Sequence, residues 1–241
     1  MKLPPFDSIR VIAFDADDTL WECEMLFQDA KKFVCELLSE YMQEKELQQK
    51  ILTDHVAKLD LYGYGVKGYI LSLVETALDV SNQQLTQAQL AQLVELGKRM
   101  LNYPVTLLPD VKEVLLALKK HYKLIIITKG DLLDQQRKLN LSGLSDFFDI
   151  VEVVSEKDEK TYLKVLDKWH ILPDEFLMVG NSLKSDILPI IALGGHAMHV
   201  PHTITWEHEQ VDLIDHISPK LYTCKRLRDV LTLTQTSTKE I

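Results

Sequence analysis

The stretch Val11-Ile12-Ala13-Phe14-Asp15-Ala16-Asp17-Asp18-Thr19-Leu20 restricts the folds open to this chain more than any other. Its first half is short, branched and aromatic and has no helical spacing, so it reads as a strand buried on both faces. Such strands belong to parallel sheets covered by helices. Three later apolar runs, Leu124–Ile127, Phe148–Val154 and Phe176–Val179, are each followed by a helical pattern. A last strand is expected near His196–Val200 and a last helix near Lys225–Leu233, ahead of a polar tail, Thr234–Ile241, expected to fray. Strand, helix and strand at this spacing predict an α/β fold with a doubly wound parallel sheet. Right-handed crossovers then bring every strand's carboxyl end to one edge.

Between the first two strands the pattern changes. Met25, Phe33, Val34, Leu37, Leu38 and Tyr41 recur at helical spacing, and helical patterns resume over Ile70–Leu78 and Leu85–Leu101. The glycine-rich Tyr62–Tyr69 segment between them reads as a turned loop, and Pro109-Asp110 opens a further helix running to about Lys120. Roughly eighty residues without a strand signal exceed any simple crossover. The expected division is therefore an α/β core, residues 1–21 and 102–241, with an all-helical insert, residues 22–101.

Charge and cysteine content narrow the function. With 27 Lys and Arg against 36 Asp and Glu, the formal net charge of −9 disfavours nonspecific binding to nucleic acid or to an anionic membrane. Small phosphate-bearing molecules remain if the site supplies its own cations. Cys23, Cys35 and Cys224 lack the spacing of a zinc or C-x-x-C site and fit a reducing compartment. The N-terminus has no apolar leader segment, and no run approaches ~18 apolar residues. A cytoplasmic protein is expected.

At the strands' carboxyl ends stand Asp15, Asp17 and Asp18, then Thr128, then Lys157 or Lys160, then Asn181, Ser182, Ser185 and Asp186. In an open parallel sheet that edge is where ligands bind. Crowded carboxylates favour a shared cation, and oxygen-only ligation suits Mg²⁺. A carboxylate attacking a phosphoryl group needs a metal to offset charge, donors for the phosphoryl oxygens and an ammonium for the developing charge. Each residue alone has a plainer explanation as a cap or a solvated charge; their joint order does not.

The chain resembles the haloacid dehalogenase-like hydrolases. The resemblance rests on Asp15-Ala16-Asp17-Asp18-Thr19, on Thr128-Lys129-Gly130, on a lysine at 157 or 160, and on Gly180-Asn181-Ser182-Leu183-Lys184-Ser185-Asp186. It implies that the helical insert is a cap and that Asp15 is the nucleophile, with Asp17 as acid and base. It further implies that Asp15, the Asp17 main-chain carbonyl and Asp186 hold Mg²⁺, while Thr128, Lys129 and the lysine grip the phosphoryl group. Lys157 is preferred to Lys160 because it lies in the turn after its strand. Two positions depart from the family pattern: Lys129 stands where asparagine is frequent, and Asn181 where aspartate is. The carbon–halogen branch does without Mg²⁺ and without an acid at the position of Asp17, since a halide leaves without a proton. The expected function is thus Mg²⁺-dependent hydrolysis of a small phosphorylated metabolite. A phosphotransferase or mutase, and a non-catalytic phosphoryl-binding regulator, are the alternatives.

The run from His196 through His199 to His202, followed by His208, also invites a zinc reading. Residues three apart on a strand face opposite ways, and no cysteine supports them, so core histidines are expected instead. Trp21 is expected to pack structurally.

Overall fold

A computed structural model describes residues 8–211 and 218–234, so nearly all of the polar tail expected from Thr234 lies outside the described residues. In chain order come β1 (Val11–Phe14), α1 (Glu24–Leu37), α2 (Glu44–Ala57), α3 (Leu59–Tyr62), α4 (Val66–Val80) and α5 (Gln87–Leu101). They are followed by α6 (Val111–Leu118), β2 (Lys123–Lys129), α7 (Leu132–Ser142), β3 (Ile150–Val154) and α8 (Glu159–Lys168). The chain continues through β4 (Phe176–Gly180), α9 (Leu188–Ala192), β5 (His196–His199), β6 (Leu221–Thr223) and α10 (Asp229–Thr234).

The strands form one sheet in the order β3-β2-β1-β4-β5-β6, with every neighbouring pair parallel. β1 is flanked on both sides, Phe14 lying opposite Ile126 of β2 and Val179 of β4. All four of its residues are buried, which accounts for its unbroken apolar sequence. Ile12 and Phe14 enter one core with Val114, Leu115 and Leu118 of α6. Val11 and Ala13 enter the other, with Tyr162, Val165 and Leu166 of α8. Each large apolar side chain fully buried this way contributes about 1.5–3 kcal/mol.

Sequence periodicity does not reveal β6. Its three residues are too short to show alternation, and their place is set by pairing with β5 through Ala197–Leu221 and Met198–Tyr222.

The chain divides into two compact units, Met1–Glu22 with Val105–Lys129 and Arg137–Ile241, and Cys23–Pro104 with Gly130–Gln136. The first carries the sheet. The second is helical, built on Val34, Leu38, Leu47, Leu73 and Leu93, with Thr86 and Gln89 forming a reciprocal cap at the start of α5. Gly130–Gln136 joins it through an ion pair between Lys67 and Asp131 at 2.9 Å. The glycine-rich loop is shorter than expected, because α4 already begins at Val66. Gly68 lies inside that helix, where an added Cβ would come within 2.5 Å of the Gly63 carbonyl; a close approach, rather than a turn, requires this glycine.

Candidate active site

The chain leaves β1 with the Asp15 N–H donating to the Val179 carbonyl at 2.9 Å, so the sheet itself fixes where Asp15 begins. The Asp15 side chain is buried. Lys157, in the turn after β3, is buried too; its ammonium donates to Asp15 Oδ1 and to Asp186 Oδ1, the latter at 2.6 Å. Asp15 Oδ2 accepts from Thr19 Oγ1 at 3.1 Å, and the same hydroxyl lies 3.3 Å from Asn181 Oδ1. The second oxygen of Asp186 accepts from the Ser182 N–H at 3.0 Å. Lys160 lies exposed in the first turn of α8, which Asp158 caps by accepting from the Thr161 N–H at 2.7 Å. Thr128 is buried on β2, two residues beyond the Ile126 that faces Phe14, which puts it at the same edge of the sheet.

Burial drives the Asp15 carboxyl up to about 7, against the pull of Lys157, and Asp186 and Asp17 add to the rise. Burial opposes the charge on Lys157 as well, but Asp15 and Asp186 outweigh it and hold the ammonium above its ordinary range. Two carboxylates thus share one buried cation, a set whose excess negative charge a divalent ion would offset.

Asp17 has its own partners. Its Oδ1 accepts from the Trp21 indole N–H at 2.6 Å, and Lys138 on α7 donates to both carboxylate oxygens, at 2.6 and 2.8 Å. Trp21 is fully buried, and its packing role is joined by this polar contact.

Lys129 follows Thr128 with its ammonium on Glu209 at 2.6 Å, Ser185 at 2.9 Å and Glu156 at 3.3 Å. Glu209 also accepts from the hydroxyls of Ser182 and Ser185. Burial alone would raise this carboxyl, but Lys129 and the two hydroxyls take it down to about 2. Lys138 and Glu209 escaped the sequence reading because neither adjoins a motif and neither carries a local signal.

Among the described residues the histidines do not form a metal set of their own. His196 stacks on Tyr222, and His199 Nε2 lies 3.0 Å from the Asn181 carbonyl. His202 instead sits between Asp18 at 3.7 Å and Glu22 at 3.3 Å. Among the described residues these three are the group of His, Cys, Asp and Glu whose ligand atoms lie close enough together to hold an ion.

Residues 9–194 match the haloacid dehalogenase-like hydrolase family. The chain belongs to the haloacid dehalogenase-like hydrolases. It is 34% identical to a haloacid dehalogenase-like family hydrolase from Xanthomonas campestris, with a TM-score of 0.83 over 95% of this chain and 94% of that one. It is 30% identical over 188 residues to glyceraldehyde 3-phosphate phosphatase of Pyrococcus furiosus, covering 74% of this chain and 75% of that protein. To N-acylneuraminate-9-phosphatase of Rattus norvegicus it is 27% identical over 190 residues, covering 74% and 77%. As a haloacid dehalogenase-like hydrolase with phosphatase relatives, the chain is an enzyme with its motif residues at one edge of a parallel sheet. No helix among the described residues is long and apolar enough to cross a membrane.

Proposed function

We propose that the protein is a cytoplasmic, Mg²⁺-dependent phosphohydrolase that cleaves a small phosphate ester through an aspartyl-phosphate on Asp15. The observation that carries this reading is the buried Lys157 ammonium bridging Asp15 and Asp186. It supplies positive charge beside the attacking oxygen, close to where the equatorial oxygens of the phosphoryl group would carry the transition-state charge.

An Asp15 carboxylate oxygen attacks phosphorus, the ester P–O bond breaks, and the Asp17 carboxyl gives its proton to the departing oxygen. Water then attacks the phosphoryl group and passes a proton to Asp17. The bond to Asp15 breaks, phosphate leaves, and both carboxyl groups return to their starting states. Thr128 and Lys157 are assigned to the phosphoryl oxygens. For Lys129 to grip them directly, its ammonium would have to turn from Glu209.

The donor set suits a hard cation, since it consists of the Asp15 carboxylate, the Asp17 main-chain carbonyl, Asp186 and the amide oxygen of Asn181. Asn181 Oδ1 shares the Thr19 hydroxyl with Asp15, while Asp186 has one oxygen on Lys157 and the other on Ser182. When bound, Mg²⁺ would supply charge neutralisation for the phosphoryl oxygens. The helical unit is assigned the part of a cap excluding bulk water.

Relatives named as phosphatases of glyceraldehyde 3-phosphate and of an N-acylneuraminate 9-phosphate support a small phosphorylated metabolite as substrate. Asp17 favours ester hydrolysis over carbon–halogen cleavage because an alkoxide needs a proton and a halide does not. The test is phosphate release from a panel of phosphorylated metabolites with Mg²⁺. Release from at least one metabolite, absent in Asp15→Asn, is expected. Transfer of the phosphoryl group to an added acceptor without free phosphate would replace hydrolysis by the transferase reading, and no turnover with any ester would overturn both.

A further inference from the structure

In the sheet order β1 lies between β2 and β4, so the chain that leaves β1 at Asp15 is flanked by the end of β2 and by the turn after β4. Lys129 ends β2, while Ser182 and Ser185 belong to that turn. Glu209 links the two across the nucleophile's strand. Its Oε1 accepts from the Lys129 ammonium at 2.6 Å and its Oε2 accepts from both serine hydroxyls. The ammonium closes the ring by donating to Ser185 Oγ at 2.9 Å. The turn held in this way carries Asp186. The Ser182 N–H donates to Asp186 Oδ2 at 3.0 Å and the Ser182 carbonyl accepts from the Asp186 N–H at 2.9 Å, so any shift of Ser182 passes directly to that carboxylate. An exposed lysine–carboxylate pair would be loose and contribute little. This one is not exposed: the side chains of Lys129 and Glu209 retain 13% and 10% of their accessible surface. Drawing the ammonium away toward a substrate would leave Glu209 buried without its cation, which is strongly unfavourable.

We propose that Lys129 and Glu209 act as one positioning pair for the turn that bears Asp186, fixing where this carboxylate stands relative to Asp15, and that Lys129 is not a ligand of the phosphoryl group. The proposal rests on the Mg²⁺-dependent reading above. Groups that hold a metal ligand from behind decide how well it is oriented toward the ion. Mg²⁺ demands near-ideal geometry. A loosened turn should therefore weaken binding of the ion before any substrate is present, and it should do so whichever member of the pair is removed.

The experiment is a titration of the full-length protein with Mn²⁺, which takes the same oxygen ligands as Mg²⁺ and whose unbound fraction is counted by its paramagnetic resonance. Asp186→Asn, which removes a proposed ligand, identifies the Mn²⁺ held at this edge. Each titration is run well below the variant's own melting temperature, so that only folded protein is compared. Glu209→Gln and Lys129→Met should each weaken Mn²⁺ binding by about tenfold, the low end for a group behind a metal ligand; either variant suffices if the other fails to fold. The double variant should bind no more weakly than the singles, because the two residues form one unit. Inorganic phosphate, added with Mn²⁺ saturating, should bind the two single variants alike. Lower melting temperatures with unchanged Mn²⁺ affinity would mark the pair as support of the fold only. Phosphate binding lost in Lys129→Met but kept in Glu209→Gln would make Lys129 a phosphoryl ligand. Losses that add in the double variant would separate the two residues. Each of these three results overturns the proposal and leaves the phosphohydrolase intact. A wild-type protein that bound no Mn²⁺ even with inorganic phosphate present would overturn the Mg²⁺-dependent parent reading, and this inference with it.

Discussion

A single methyl group at position 180 would meet the centre of the site. Built on the Gly180 backbone, it would lie 2.3 Å from Asp186 Oδ2 and 2.4 Å from its Cγ, while Asp186 is tied on its other side to Lys157. The atoms it meets belong to a buried side chain pinned by Lys157 and the Ser182 N–H, so Asp186 cannot swing aside freely. Gly180→Ala should therefore displace Asp186, cost about 1–3 kcal/mol of stability as an overpacked core site, and cut turnover beyond what the melting temperature explains. Asp15→Asn is the opposite kind of change: it preserves shape and removes the nucleophile, so the fold should survive and phosphate release vanish. Lys157→Ala should cost far more activity than Lys160→Ala, because one ammonium bridges two carboxylates and the other faces solvent. Steady-state assays of the two variants check this, and equal losses would remove Lys157 from the chemistry.

At the scale of elements, the turn after β4 is held from outside. Ser182 caps a π-helical turn, Leu183–Ile187, by accepting from the Ser185 N–H at 3.0 Å, and Glu209 pins both hydroxyls while pairing with Lys129 at the end of β2. The Glu209 carboxyl is about 2 when folded against 4.5 ordinarily, so its contribution is present above pH 4.5 and is lost as pH falls toward 2. The shift corresponds to at most about 3 kcal/mol. Urea denaturation of wild type and Glu209→Gln at pH 7 should differ by about 1–3 kcal/mol, with the gap closing below pH 4; a gap unchanged at pH 3 would mean that the charge is not what stabilises the turn. This strap also shows where sequence reading stops. Val11–Phe14, Leu124–Ile127 and Phe176–Val179 were legible as strands because burial on both faces leaves an apolar signature, and the residues directly after them follow from topology. Glu209 and Lys138 reach the site from a short 3-10 turn, Glu207–Glu209, and from a helix face. Their roles come from long-range packing, which leaves no local pattern, and β6 is likewise a strand only by virtue of its neighbour.

For the molecule as a whole, the balance of charge at the sheet edge governs what binding does to stability. Asp15, Asp17 and Asp186 are compensated inside the protein by Lys157 and Lys138, and Asn181 brings an oxygen to the cluster without a charge. Mg²⁺ dehydrates reluctantly and depends on anionic ligands to do so. Such a site should bind the ion weakly by itself and more tightly once a phosphate adds its own oxygens and charge. By linkage each ligand then tightens the other by the same factor. A ligand at a hundred times its dissociation constant stabilises the folded state by about 2.7 kcal/mol, which is several degrees of melting temperature for a chain of this size. Melting followed with Mg²⁺ alone, inorganic phosphate alone and both together should show a shift for the pair that exceeds the sum of the separate shifts. In Asn181→Asp the added carboxylate should increase the response to Mg²⁺ alone and shrink the excess seen with the pair. If both proteins respond to Mg²⁺ equally, Asn181 lies outside the metal's surroundings, and the neutral oxygen beside Asp15 serves the Thr19 hydrogen bond alone.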